Sequence, residues 1–273
     1  MAAVREVRIP QVKLEEVGSY YNELVERVLQ AGNSENALPV QLIPTITMDQ
    51  SRAILELEKG TLDLVWLGAD KQLASKFRAI EIPLDRGLMG YRSFLLRKEN
   101  LPRFSTFTKL EQLADLVACQ GSNWPDTTIL VAAGLKVLDT PSYINLYEQL
   151  YLGRCDYFPR GLHEAHVEKH NMQALYPDFA VAENLLLHYP YTIYFYTNKH
   201  NKALASLLER GLEALIDNGE LLKLMQTQAE TAHAFPLSKW ANSTILELAN
   251  PELSASTDAY NPRYWFSAAD FSH

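Results

Sequence analysis

Arg160 and the turn Gly121–Asp126 are the residues of this chain best placed to hold a small charged molecule. Arg160 follows the apolar run Cys155–Phe158, and the C-terminal ends of strands are where open α/β sheets present ligand contacts. Its planar guanidinium matches a carboxylate with two parallel hydrogen bonds. The plainer alternative is a surface arginine paired with Glu164 one helical turn on, an interaction of about 0.3–0.5 kcal/mol. The turn GSNWPD leaves a strand and opens a helix, so the backbone N–H groups around Ser122 and Asn123 form a natural cradle for a carboxylate or phosphate. Trp124 would wall that cradle. Asp126 either faces the ligand or caps the helix with its side chain. Trp66 ends an earlier strand, as a ligand contact or as core.

Other reactive side chains read as structural. His163, His166 and His170 share one face if their helix is continuous, but a zinc site needs further ligands; solvated or partly buried histidines are the expectation. Cys119 and Cys155 both fall in strand-like runs and are expected as buried free thiols. The aromatic run Tyr189–Tyr196 is expected to bury against helices. No nucleophile elbow, phosphate loop, dinucleotide fingerprint or zinc-protease helix occurs in the sequence, which favours binding over catalysis, with no cofactor and no metal.

These residues need a scaffold, and a pattern that occurs twice supplies it. Ile54–Trp66 (ILELEKGTLDLVW) and Tyr147–Pro159 (YEQLYLGRCDYFP) align Leu57 with Leu150, Gly60 with Gly153 and Asp63 with Asp156. Each copy is a helical run, a glycine suited to the left-handed position after a helix, an aspartate three residues later, and a short apolar strand. Around the first copy lie strands at Val4–Pro10, Val40–Pro44 and Leu62–Leu67 and helices at Tyr20–Leu29 and Arg52–Glu58. Around the second lie strands at Leu116–Gln120, Lys136–Leu138 and Cys155–Phe158 and helices at Thr127–Ala133 and Tyr143–Leu152. Both read β-α-β-α-β, the rhythm of a mostly parallel sheet. Strands are also expected at Ile80–Leu84, Arg92–Arg97 and Tyr191–Thr197, helices at Lys202–Asp217 and Glu220–Gln228, and a loop-rich remainder.

The chain has 273 residues, 47% of them hydrophobic, and a formal charge of −8. That is enough apolar material for two lobes with real cores. Acidic balance and scattered lysines and arginines disfavour nucleic acid, and no stretch approaches the ~20 apolar residues of a membrane span.

In their order, these elements resemble the type 2 periplasmic solute-binding proteins, specifically the branch of polar amino-acid receptors. Residues 92–98 (RSFLLRK) are similar to that family's outgoing crossover and 189–198 (YPYTIYFYTN) to its return. Leu113–Gly121 (LADLVACQG) resembles its first strand of lobe two, and Lys202–Gln228 its C-terminal helical pair. The resemblance implies an α/β fold with two lobes, each a mostly parallel sheet flanked by helices, joined by two crossover strands. Lobe one would be 1–91 plus 197–273 and lobe two 99–188, with crossovers at 92–98 and 189–196. Tyr91 and Arg92, opening the first crossover, would then look toward an interlobe cleft, Arg92 as a carboxylate clamp or as a strand residue paired with Asp85 or Glu81.

The resemblance further implies capture of a small polar solute with hinge closure, for delivery to a membrane permease or presentation to a sensor. It implies a monomer, an export signal in the full gene and a periplasmic location. A sensing module of a transcription regulator or receptor is the first rival, and an enzyme on the same scaffold the second. Two departures shape the ligand. The family's Thr-x-x-Arg motif is absent from residues 68–76, and the acidic residue expected four positions after Asp156 is Arg160. The ligand is therefore expected to carry a carboxylate facing lobe two, without an obligatory α-ammonium there.

Overall fold

The computed structural model describes residues 5–11, 19–33, 39–254, 257–259 and 261–272; Val4, the expected start of the first strand, lies outside them. The chain opens with β1 (Arg5–Gln11), α1 (Ser19–Gly32), β2 (Val40–Thr47), α2 (Gln50–Lys59), β3 (Leu64–Gly68), α3 (Lys71–Lys76) and β4 (Arg78–Ile80). Next come β5 (Tyr91–Arg97), α4 (Leu101–Phe104), β6 (Val117–Gly121), α5 (Pro125–Ala132), β7 (Lys136–Thr140), α6 (Tyr143–Tyr151), β8 (Tyr157–Gly161) and α7 (Glu164–Met172). The remainder is β9 (Phe179–His188), β10 (Ile193–Thr197), α8 (Lys202–Asp217), α9 (Glu220–Thr227) and β11 (Thr244–Glu247). Two compact units result: unit 1 is Met1–Arg86 with Ile193–Ala232, and unit 2 is Gly87–Thr192 with His233–His273.

In unit 1, β1 and β2 pair in parallel, while β10 runs antiparallel between β3 and β4. The amphipathic helices α1 and α8 pack together, burying Leu24, Val25 and Val28 from one and Leu204, Leu208 and Leu212 from the other. A side chain at Gly211 would reach within 2.0 Å of the Val28 carbonyl oxygen, so the helices approach closely only because that residue lacks one.

Unit 2 is built on a six-stranded sheet in the order β11-β9-β5-β8-β6-β7. β5 is antiparallel to both its neighbours, while β6 is parallel to β7 and β8, and β11 to β9. Over one face, Leu146, Tyr147 and Leu150 of α6 bury against Cys119, Phe158 and Phe179. Cys119 and Cys155 lie in this core as a disulfide, Cα to Cα 5.6 Å, which corrects the expectation of free thiols. Their 36-residue separation closes because β6 and β8 are neighbours in the sheet.

Both copies of the repeat fold alike. Gly60 and Gly153 sit at φ 74° and 70°, just after α2 and α6. The aspartates staple strands: the Asp63 N–H donates to Arg8 O (2.9 Å) while Asp63 Oδ2 accepts the Arg8 N–H (2.9 Å). Asp156 does the same with Val117, at 2.7 and 2.8 Å. In each copy the carboxylate serves a neighbouring strand.

Several features differ from expectation. Residues 233–273, expected in lobe one, pack with unit 2, because β11 pairs with β9 and the Trp265 ring covers Gly87. The stretches 92–98 and 189–196, expected as crossover strands, are strand over β5 and from Ile193 onward, but each strand is held within a sheet: β5 is an interior strand of one and β10 the middle strand of another. Antiparallel β5 and β10 also make these sheets mixed. Finally, β9 begins at Phe179 and the expected connector contains α4.

Candidate functional site

The ends of β5, β6 and β8 in unit 2 carry a buried cluster of charge. Arg160 leaves β8 opposite Ser93 of β5, and α7, starting three residues after Gly161, brings Glu164 and Glu168 back over it. Glu168 takes the Nε and Nη2 edge of Arg160 at 2.6–2.9 Å, and Glu164 lies 3.1 Å from Nη2. The guanidinium stacks over Trp124 and Phe158, 5.0 and 4.9 Å from their ring centres. Tyr143 donates to Glu168 at 2.7 Å, and Tyr147 donates to Tyr143.

Glu164 joins this group to a second one. Its Oε2 accepts the Gly161 N–H at 2.8 Å and lies 3.7 Å from Arg92 Nη1. A Cβ at position 161 would stand 2.9 Å from that oxygen and 3.0 Å from Met89 Sδ, so a side chain there would push the Glu164 carboxylate out of its present place. Arg92 pairs with Asp126 at 2.5 Å between the rings of Tyr189 and Tyr191, and Tyr189 donates to Asp126.

Burial alone would pull both arginines down. For Arg92 the charges of Asp126 and Glu164 outweigh it, and for Arg160 those of Glu164 and Glu168, so each is held above its ordinary range. Burial first, and then Arg92 and Arg160, push His163 down to about 3, so it is neutral. Two guanidinium groups thus face three carboxylates, leaving one excess negative charge. Gln120 Nε2 and Oε1, Ser93 Oγ and His163 Nδ1 are buried there without a hydrogen-bond partner, and buried polar atoms of that kind call for a physical reason.

Of the sequence-derived candidates, Arg160, Arg92, Asp126 and Trp124 come together in this cluster. Asp126 is not a cap: the N-cap position of α5 is Trp124, which makes no side-chain cap bond, and Asp126 turns its carboxylate to Arg92. Arg92 pairs with Asp126 and Glu164 rather than Asp85 or Glu81. Two N–H groups of the expected cradle are engaged, Ser122 with Thr140 O (3.1 Å) and Trp124 with Gly121 O (3.0 Å), while Asn123 is exposed. Tyr91 is buried elsewhere, its ring 4.1 Å from His188 and 4.5 Å from Phe271. Trp66 belongs to unit 1, half-buried and stacked on Tyr21.

Glu168, Tyr143 and Tyr189 were not anticipated. The spacing of Arg160, Glu164 and Glu168 by fours was the available signal for the first; nothing local marks the tyrosines. His166 stacks on His233, ring centres 3.8 Å apart, and no group of three or more His, Cys, Asp or Glu among the described residues could hold a metal ion. A groove of about 550 Å³ runs along β9, lined by Lys98, Lys169, Tyr176, Ala180 and Asn184 among others; none of the cluster residues lines it.

No protein-family model and no curated protein matches this chain. Solved structures do. An arginine-bound amino-acid ABC transporter substrate-binding protein from Streptococcus pneumoniae is 17% identical, with 84% of this chain and 95% of that one covered, at a TM-score of 0.62. A probable amino-acid ABC transporter extracellular-binding protein from Bacillus subtilis is 15% identical over 83% and 97%, TM-score 0.61. An ancestral amino-acid-binding protein, described as a precursor of cyclohexadienyl dehydratase, is 14% identical over 81% and 93%, TM-score 0.57. The chain therefore has the fold of the amino-acid substrate-binding proteins, α/β with helices flanking mixed sheets. Among the described residues no helix is long and apolar enough to cross a membrane.

Proposed function

We propose that this protein captures a small polar organic solute for uptake or sensing, as a monomer exported to an oxidising compartment and working with a membrane permease or sensor. The observation that carries the reading is the charged cluster at the ends of β6 and β8, where α/β sheets present ligand contacts, on a fold whose neighbours are bound to amino acids. The disulfide fits such a compartment. The ligand carries a carboxylate that meets Arg160 from its Nη1 side, since Glu168 takes the other edge. The excess carboxylate adds a cationic group to that description, so an α-ammonium is favoured rather than dispensable.

The test is calorimetric titration with a panel of L-arginine, L-glutamine, L-glutamate and ammonium-free dicarboxylates, with thermal shift as the screen. A ligand at 100 times its Kd should add about 2.7 kcal/mol of stability. The expected result is binding of an amino acid above the dicarboxylates and a bound ligand recovered unchanged. Binding of none would overturn the reading, dicarboxylate preference would overturn the cationic group, and turnover would replace binding with catalysis.

A further inference from the structure

We propose that the Cys119–Cys155 disulfide is a positioning device that ties β6 to the segment entering β8, so that the ligand-facing ends of the two strands leave the seam in a fixed register; for its role in binding this rests on the function proposed above. The six-stranded sheet has a seam. β6 pairs with β7 along its whole length, Val117–Gly121 against Lys136–Thr140, and β8 pairs with β5 from Tyr157 to Gly161. Between β6 and β8 the paired register is Ala118 with Tyr157 alone. The seam is held at its start by the exchange between Asp156 and Val117, and beside that by the disulfide. The ladder does not continue to Gly121 and Arg160.

The two sides of the seam carry different parts of the site. After β6 come Trp124 and Asp126; β8 carries Arg160 near its end, and Glu164 opens the helix that follows. Trp124 touches Phe158 and Arg160 across it, and Asp126 reaches Arg92 of β5. A covalent tie buried at 0% and 1% exposure reinforces the few hydrogen bonds that hold the seam. Reduction by a dithiol would proceed by thiolate attack on one sulfur, giving a mixed disulfide. The reductant's second thiolate then releases it as a cyclic disulfide and leaves two protein thiols.

The experiment compares the oxidised chain with the Cys119→Ala/Cys155→Ala and Cys119→Ser/Cys155→Ser variants. Thiol titration under denaturing, non-reducing conditions should find none in the wild type, and two would overturn the proposal. Native-state amide exchange should then speed up at least tenfold in β6 and β7 of the Ala pair while β5 and β9 keep their protection. Unchanged or uniformly raised exchange would overturn the proposal without reference to any ligand. With L-arginine or the best-bound panel member, well below the melting temperature, affinity should fall at least tenfold in the folded Ala pair. A lowered melting temperature with unchanged affinity would reduce the bridge to a stabilising role. Wild-type failure to bind any panel member would strike the function instead, and exchange would still decide the seam. The Ser pair guards against a repacking effect of alanine: it should show the same localised exchange, and protection equal to wild type would overturn the proposal.

Discussion

At the residue scale, the cluster is a case of charge buried because it is paired. Removing Glu168 leaves Arg160 with Glu164 as its remaining carboxylate, in a setting where stranding a buried charge costs about 3–5 kcal/mol. Glu168→Ala should lower unfolding free energy by that order in urea titration, and Glu168→Gln by less because Tyr143 and Arg160 keep an acceptor. A loss below about 1 kcal/mol would mean that the pair is hydrated like a surface bridge.

His163 makes a second prediction. Its folded pKa of about 3 lies below the ordinary value near 6.5, so the native state holds it neutral while the unfolded chain takes up a proton below pH 6.5. Stability from this group is intact above 6.5 and is lost as pH falls toward about 3. His166, pushed to about 4 first by burial and then by His233, acts in the same direction. Unfolding free energy measured from pH 8 to 4 should fall less steeply in His163→Gln than in wild type, whatever the offset between them. Parallel curves would place His163 in water. The arginine and aspartate positions of this cluster were legible from the sequence, since strand ends and helix starts are local. Their pairing with one another was not, because Arg92 meets Asp126 only through the sheet.

At the element scale, the repeat shows what local sequence can and cannot convey. The helix, the left-handed glycine and the following strand were legible in both copies, because each is fixed within a dozen residues. The task of Asp63 and Asp156 was not, because their partners Arg8 and Val117 lie 55 and 39 residues away. Each carboxylate satisfies a backbone N–H, and losing it leaves a part-buried donor at a cost of about 1–3 kcal/mol. Asp63→Ala and Asp156→Ala should each destabilise by that order in denaturant titration, and a negligible loss in both would deny the staple. Gly60 has no neighbour that a Cβ would strike, so Gly60→Ala tests the backbone alone. It should cost about 1–2 kcal/mol, and Gly60→Asn less. Equal stabilities of all three would show that the turn relaxes out of the left-handed region.

At the scale of the whole molecule, what the sequence withheld was the path of the chain. A β-α-β rhythm predicts parallel neighbours, and β6, β7 and β8 follow it. It is silent on a strand that arrives from afar. β5 and β10 enter their sheets against the grain, and β11 comes from a stretch with no strand signature beyond Ile245 and Leu246. The last forty residues looked like an appendage to the first unit because they follow its helices in the chain, yet their apolar side chains, Trp265, Phe266 and Phe271, are buried and belong with unit 2.

That placement bears on how the protein is made. As synthesis runs from the N-terminus, every segment of unit 1 has emerged once Ala232 is out, although most of unit 2 was translated between its pieces. Unit 2 still lacks β11 at that moment, and the Leu185–His188 stretch of β9 presents a row of unsatisfied backbone groups until Thr244–Glu247 arrives to pair with it. Open edges of that sort recruit stray strands, so the interval between the two segments is when the nascent chain most needs a chaperone at its side. Stalled nascent chains ending at Ala232 should resist protease in unit 1 and be cut in β9, and adding the final segment should close that window.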